Sequence, residues 1–421
     1  MENTFDRARK LDLADELSDF KGKFHIPKNK EGKDKIYLCG NSLGLQPKST
    51  KRIIEQELDD WADLGVDGHV NAKNPWLSYH EALSEPMAKI VGAKASEVVI
   101  MNSLTVNLHL MMVSFYNPVK GRSKILIEYS TFPSDVYAVK SQIRFHGFNP
   151  ETDLLFLKPK GNSSLITRDD IDEMLAIHGD EIALIMIGGV NYYTGQFFNL
   201  KYITNAGHKH GCIVGFDLAH GAGNIQPNLH ETGADFAVWC TYKYLNSGPG
   251  ALSGAFIHEK HKDWGERPRF EGWWGTNKTN RFKMKHEFES MSGAEAWQLS
   301  NPPIMAMAPI KASLAVFEEA GMHRLREKSK LMVEFALDCL EDLPQDQIKI
   351  LIPQDPESRG CQLSLQMQHP DKSFFHALEA RDIVADWREP DVIRIAPVPL
   401  YNTFMDICEF SNIIKEELSK I

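Results

Sequence analysis

The chain has 421 residues, 43% hydrophobic and 25% charged, with a formal net charge of −10. That length predicts two or three domains and a large buried core, and an acidic chain without a basic stripe makes a poor nucleic-acid binder. The longest apolar run, over residues 182–190, is far too short to span a membrane.

Taken in chain order, residues 4–24 set Phe5, Leu11, Leu13, Leu17, Phe20 and Phe24 among charges, the pattern of an amphipathic helix. The same N-terminal stretch is rich in acids and lacks an apolar core, so it reads as neither a secretory signal nor a transit peptide. A cytoplasmic protein is expected. A short strand in YLCGNSLGLQP breaks into a loop with glycines at 40 and 44, and Pro47 starts a helix through about residue 64. Ser42 lies in that loop. Residues 65–75 look irregular, and His69 among them reads first as a surface histidine.

A helix over 76–91 and a strand over 98–101 follow. NSLTVN then opens a helix through 115. The free N–H groups there, with Thr105 beside them, suit either a phosphate or an ordinary N-cap. After a strand over 124–128, Phe132 stands where an aromatic ring would stack on a planar cofactor. Strands over 154–157 and 182–190 alternate with helices, which argues for a mainly parallel sheet.

Two further apolar strands, 213–217 and 236–240, end in Asp217 and run into Tyr242 and Lys243. Open α/β sheets bind ligands at the carboxyl ends of their strands, so Asp217 and Lys243 would share one crevice. A lysine for a Schiff base and an acid for a pyridinium nitrogen suit pyridoxal phosphate; a plain strand-end ion pair is the alternative. The glycine loop 248–254 is spaced GxGxxxG and leads into a strand, so it is no dinucleotide fingerprint. His258 and His261 have no zinc-type spacing, and no metal is expected.

From about residue 310 a long helix leads to a smaller α+β unit, with strands over 359–366 and 392–396 and helices over 374–381 and 401–419. The basic run 324–330 reads as a solvated helix face. Arg394, inside VIRIAPVP, calls for an anion. The six cysteines, at 39, 212, 240, 339, 361 and 408, form no CxxC pair and read as reduced thiols.

These motifs converge on a family. YLCGNSLGLQP, NSLTVNLHL, FPSD, YYTGQ, GFDLAH, YKYLN, SNPP, RGCQLS and RIAPVPLYNTF, in this order, resemble the kynureninases, pyridoxal-phosphate enzymes of fold type I in the aspartate-aminotransferase superfamily. The resemblance implies a large domain at 65–310 with a mainly parallel seven-stranded sheet. It also implies a small α+β domain at 311–421 and an N-terminal arm at 1–64 packed on it. Lys243 would carry the cofactor, Asp217 would meet its ring nitrogen, and Phe132 would stack on the ring. Leu104, through its backbone, Thr105 and Tyr242 would hold phosphate, with Asp135 and His220 completing the polar shell. Tyr242 would also transfer protons. Trp273 and Asn301 would enter from the second subunit of a homodimer. Ser42, His69 and Asn301 would line the substrate side, and Arg394 would hold the substrate's α-carboxylate. The implied substrates are L-kynurenine and 3-hydroxy-L-kynurenine. Gly188 departs from the pattern, because related sequences often carry Ser or Thr there.

Overall fold

A computed structural model of the chain describes residues 3–161, 163–265 and 267–420. Its strands, in chain order, begin with β1 (Ile36–Tyr37), β2 (Val98–Met101), β3 (Lys124–Glu128), β4 (Leu154–Leu157), β5 (Ile182–Gly188), β6 (Ile213–Asp217), β7 (Phe236–Cys240) and β8 (Ser253–Ile257). They continue with β9 (Ile348–Leu351), β10 (Leu363–Met367), β11 (Ile383–Val384), β12 (Asp386–Arg388) and β13 (Val392–Ile395).

The large sheet has seven strands in the order β2-β8-β7-β6-β5-β3-β4. Every pair from β7 to β4 is parallel, and only β8 runs against its two neighbours. The α/β, mainly parallel reading is correct. The strands are buried on both faces, and their period of two divides the core. Leu126, Ile185, Val214 and Trp239 pack on one side, while Ile125, Leu184, Phe236 and Val238 pack on the other. All carboxyl ends of β3, β5, β6 and β7 therefore meet at one edge.

A second sheet, β12-β13-β10-β9, is wholly antiparallel, and β1 pairs in parallel with β11. The strands β9, β11 and β12 escape sequence reading because they are only two to four residues long. The helix Pro133–Phe145 also escapes it, although Pro133 at its first position and Asp135 in its first turn are ordinary start signals.

Three expected helices are shorter or broken. The first covers Thr4–Ala14, because the Asp15 carboxylate accepts the Leu17 N–H at 2.9 Å and turns the chain into a 3-10 segment, Ser18–Lys23. The expected helix over 76–91 begins only at Glu81. The long helix after residue 310 is two helices, Ile304–Ala320 and Met322–Cys339, divided at Gly321 with φ +77°. The basic run 324–330 is not simply a solvated face. Arg326 and Lys328 are buried; Lys328 pairs with Asp15 at 2.7 Å and donates to the Pro399 carbonyl at 2.7 Å. All six cysteines are free and buried. No helix of the described residues is long and apolar enough to cross a membrane.

His80 caps the start of the helix Glu81–Val91 and is 1% exposed, edge-on to Trp274, with neither ring nitrogen hydrogen-bonded. Burial lowers its pKa to about 4. The unfolded chain takes up this proton near pH 6.5, whereas the folded chain refuses it until about pH 4. Its contribution to stability is thus full above pH 6.5 and lost as pH falls through that window, by up to ~3 kcal/mol. Urea unfolding between pH 7 and 4 is expected to show this slope, and His80→Asn is expected to remove that part of it.

Candidate active site

The carboxyl edge of the large sheet opens on a cavity of about 350 Å³. Asp217 closes β6 and is 6% exposed; its backbone carbonyl accepts the Gly189 N–H at 2.7 Å and its Oδ1 the Ala219 N–H at 2.6 Å. These bonds fix the carboxylate at the strand end. One strand over, β7 runs into a tight turn in which Asn246 N–H reaches the Lys243 carbonyl at 3.0 Å and Ser247 N–H the Thr241 carbonyl at 3.0 Å. Asn246 takes the left-handed conformation, φ +54°. The turn presents Tyr242 and Lys243 to the cavity.

The loop holding Ser42 docks directly on this turn, with the Gly44 N–H donating to the Tyr242 carbonyl at 2.8 Å. A Cβ at Gly44 would collide with the Lys243 carbonyl and with Asn246, so only glycine allows this approach. The N-terminus of the helix Leu104–Phe115 forms another wall, and its N-cap, Ser103, makes no side-chain capping bond. Its first N–H groups therefore remain available. Thr105 Oγ1 lies 3.3 Å from Ser134 Oγ beside them.

Lys243 Nζ lies 2.9 Å from His220 Nε2 and 5.9 Å from the centre of the Phe132 ring. Burial, reinforced by the Lys243 charge, holds His220 well below its usual pKa, so the ring is neutral and accepts from the ammonium. Its other nitrogen, Nδ1, is buried without a partner. Burial raises both Asp217 and Asp135. Asp135 is raised much further, because Asp217 and Glu128 add negative charge beside it, and it carries the proton that bonds to Asp217. Asp217, helped by the Ala219 N–H and by Lys243, is left as the acceptor. Tyr242 is also raised, by burial first and then by Cys240, so its phenol keeps its proton.

Arg394 enters from β13. Its Nε donates to Asp386 Oδ1 at 2.7 Å, its Nη2 bonds closely to Asp386 Oδ2, and its Nη1 donates to the Tyr192 carbonyl at 2.8 Å. Asp386 stands directly opposite it on β12. The cavity thus gathers Ser42, Leu104, Thr105, Phe132, Asp135, Asp217, His220, Tyr242, Lys243 and Arg394 of the residues expected from sequence.

Three expected residues do not line it in this chain. His69 is on the surface, with Nδ1 3.0 Å from the Val66 carbonyl and its ring edge-on to Trp76. Trp273 is 38% exposed against Phe282, and Asn301 is exposed before the helix Ile304–Ala320. Conversely, Glu128, Tyr192 and Arg388 line the cavity and were not singled out. Glu128 had a signal, an acid closing an apolar strand. Arg388 had none, since β12 is too short to recognise.

A family model described as the kynureninase C-terminal domain matches residues 325–414. A kynureninase from Myxococcus xanthus is 52% identical over 403 residues, covering 96% of this chain and 95% of that protein. The chain belongs to the kynureninase family. A family member from Koribacter versatilis is 50% identical over 96% of this chain and 95% of its own length, and one from Nematostella vectensis 44% over 98% and 93%. Among solved structures, the cysteine desulfurase CsdA from Escherichia coli aligns with TM-score 0.77 at 16% identity, covering 96% of this chain and 99% of that one. The fold is therefore that of fold type I enzymes, while kynureninase identity extends along nearly the whole chain.

Gly188 is the one departure from the expected motif, and its surroundings account for it. The Glu128 carboxylate accepts the Gly188 N–H at 3.2 and 3.1 Å, and a Cβ at 188 would stand 2.7 Å from Glu128 Oε1. Gly188→Ser is expected to cost about 1–3 kcal/mol of stability through overpacking. In a Glu128→Asp background, one methylene shorter, the loss should be smaller. Urea unfolding of the four proteins checks this, and equal losses in both backgrounds would show that the carboxylate is not the obstacle.

Proposed function

We propose that the protein is a pyridoxal-phosphate-dependent hydrolase that cleaves the Cβ–Cγ bond of L-kynurenine. One water is consumed, and anthranilate and L-alanine are released. 3-Hydroxy-L-kynurenine is proposed to yield 3-hydroxyanthranilate in the same way. The observation that carries this reading is the placement of Lys243 and Asp217 at adjacent strand ends in one buried cavity, in a chain about half identical to kynureninases.

The cavity residues fit the cofactor. The uncapped helix end at Leu104 and Thr105 suits a phosphate, the exposed Phe132 ring suits stacking on a planar ring, and the Asp217 carboxylate suits a protonated ring nitrogen. His220 Nδ1, buried without a partner, is an unused polar group in the same wall. Pyridoxal phosphate, when bound, supplies an electron sink for carbanion chemistry at the substrate. Asp217 favours the charged form of the ring nitrogen by opposite charge, and Asp135, protonated, supports it by donating to Asp217.

Lys243 would take the proton from the substrate α-carbon and give it up again later in the reaction. Its contact with neutral His220, at 2.9 Å, fixes the Lys243 side chain at the cavity wall. Tyr242 keeps its phenol proton and serves as the acid and base while water adds to the γ-carbonyl and the bond to the aryl ketone breaks. Ser42 lies on the substrate side with the two arginines, Arg388 and Arg394. We further propose a cytoplasmic homodimer in which Trp273 and Asn301 complete the neighbouring subunit's site. Their exposure, away from this chain's own cavity, is consistent with that role.

A desulfurase reading is suggested by the structural neighbours alone, at 16% identity. It requires a mobile thiolate. Cys361 is 1% exposed and burial pushes its thiol up to about 12, the opposite of an activated nucleophile.

Three experiments test these proposals. The wild-type protein is expected to release fluorescent anthranilate from L-kynurenine, and Lys243→Ala to lose turnover altogether while remaining folded. Borohydride reduction and peptide mapping should place the cofactor on Lys243; label on another lysine would end that assignment. For the shared site, inactive Lys243→Ala mixed with inactive Asn301→Ala should regain part of the activity in hybrid dimers. No recovery after proven subunit exchange would mean that each chain builds its own site.

A further inference from the structure

A second group of charged side chains gathers around the buried His80, and none of its members lines the cavity that holds Lys243. His80 precedes the helix Glu81–Val91, Glu81 opens it, and Glu295 lies in the 3-10 segment Gly293–Trp297. His80 Nε2 stands 3.7 Å from Glu295 Oε1, and one ligand atom from each of His80, Glu81 and Glu295 lies within 4.8 Å of the other two. The Lys278 ammonium bridges the acids, 2.9 Å from Glu81 Oε1 and 3.1 Å from Glu295 Oε2. A positive charge is thus already held between the two carboxylates, on a side chain that is 40% exposed.

The imidazole is the part that this ion pairing leaves unsatisfied. His80 is 1% exposed, and neither of its nitrogens has a hydrogen-bond partner. Burial keeps the ring neutral at pH 7, so a nitrogen lone pair is on offer beside two acids. A buried polar group without a partner is unfavourable, and a lysine between two glutamates does nothing to relieve it. One neutral imidazole and two carboxylates are nitrogen and oxygen ligands of the kind zinc takes. Zinc ligands at about 2.1 Å in a tetrahedron stand about 3.4 Å apart, so a small inward shift of the two part-exposed glutamates closes the set. Arg281, the other cation nearby, donates to the Trp274 and Thr276 carbonyls and lies 4.1 Å over the Trp274 ring. Lys278 is therefore the group that an entering ion must displace.

We propose that His80, Glu81 and Glu295 form a binding site for a divalent transition-metal ion of the zinc class, with the Lys278 side chain swinging out as the ion enters. Such an ion would tie the start of the helix Glu81–Val91 to the segment Gly293–Trp297 and give His80 the partner it lacks.

The test uses the full-length holoenzyme, dialysed against a chelator and titrated calorimetrically with Zn²⁺. The wild type is expected to bind the ion and to gain in Tm, whereas Mg²⁺, which disfavours imidazole, should do neither. Lys278→Met keeps the stem and removes the competing charge, and should tighten binding by roughly 10-fold. Adding His80→Asn or Glu295→Gln to that variant should weaken it by roughly 10-fold or more; the glutamine change keeps the side chain's shape and serves if the asparagine variant does not fold. No Zn²⁺ bound by the wild type, no gain in Lys278→Met, an affinity unchanged by either ligand substitution, or Mg²⁺ binding as tightly as Zn²⁺ would each overturn the assignment.

Discussion

The cavity depends on burying opposite charges at the ends of two neighbouring strands. An isolated carboxylate in this wall would take up a proton and become a poor partner for a cation. Burial pushes Asp217 that way too, and three neighbours oppose it: the Ala219 N–H, the charge of Lys243, and the proton held by Asp135. Each of these neighbours is positioned by a different piece of chain. Ala219 follows β6, Lys243 follows β7, and Asp135 lies in the first turn of the helix Pro133–Phe145. The charge arrangement therefore exists only when the parallel sheet and its crossover helix are assembled. This couples the fold to the chemistry without any single strong bond.

A second electrostatic knot joins the two sheets. Asp386 and Arg394 are cross-strand partners in the small antiparallel sheet, yet Arg394 also reaches the Tyr192 carbonyl in the loop after β5 of the large sheet. Ser42, from the loop before the helix Ser49–Leu64, bonds Asp386 and accepts from both arginines. Three stretches of chain far apart in sequence thus close one side of the cavity around a single carboxylate. Such a knot is worth more for geometry than for stability, since the desolvation of its charges offsets much of their attraction. Fixed geometry is what selective recognition of an anion requires.

Kynureninase kinship and desulfurase-like shape are different kinds of statement. The shape is common to enzymes with little sequence in common, as the 16% identity to CsdA illustrates. What distinguishes this chain is what lines the cavity, with a buried and unreactive Cys361 outside it and a tyrosine and lysine side by side within it. Function here follows the site and not the scaffold.

The sequence by itself determined the alternation of apolar strands and helices, and hence the parallel sheet with its carboxyl edge. It also determined the residues placed directly at strand ends and first turns: Asp217, Tyr242, Lys243, Leu104 and Thr105. These are legible because a two-residue or 3.6-residue period and a terminal polar residue are local signals. Tertiary structure alone decided whatever depends on packing between distant segments. It buried half of the basic run 324–330, because Asp15 and backbone carbonyls were waiting opposite. It made Gly188 the space for Glu128. It turned Arg394 toward Asp386 and left Arg388 facing the cavity, because β12 is three residues long and carries no periodic signal, while its register against β13 sets which charges meet. Local patterns fix where a side chain starts; only the assembled neighbours fix what it touches.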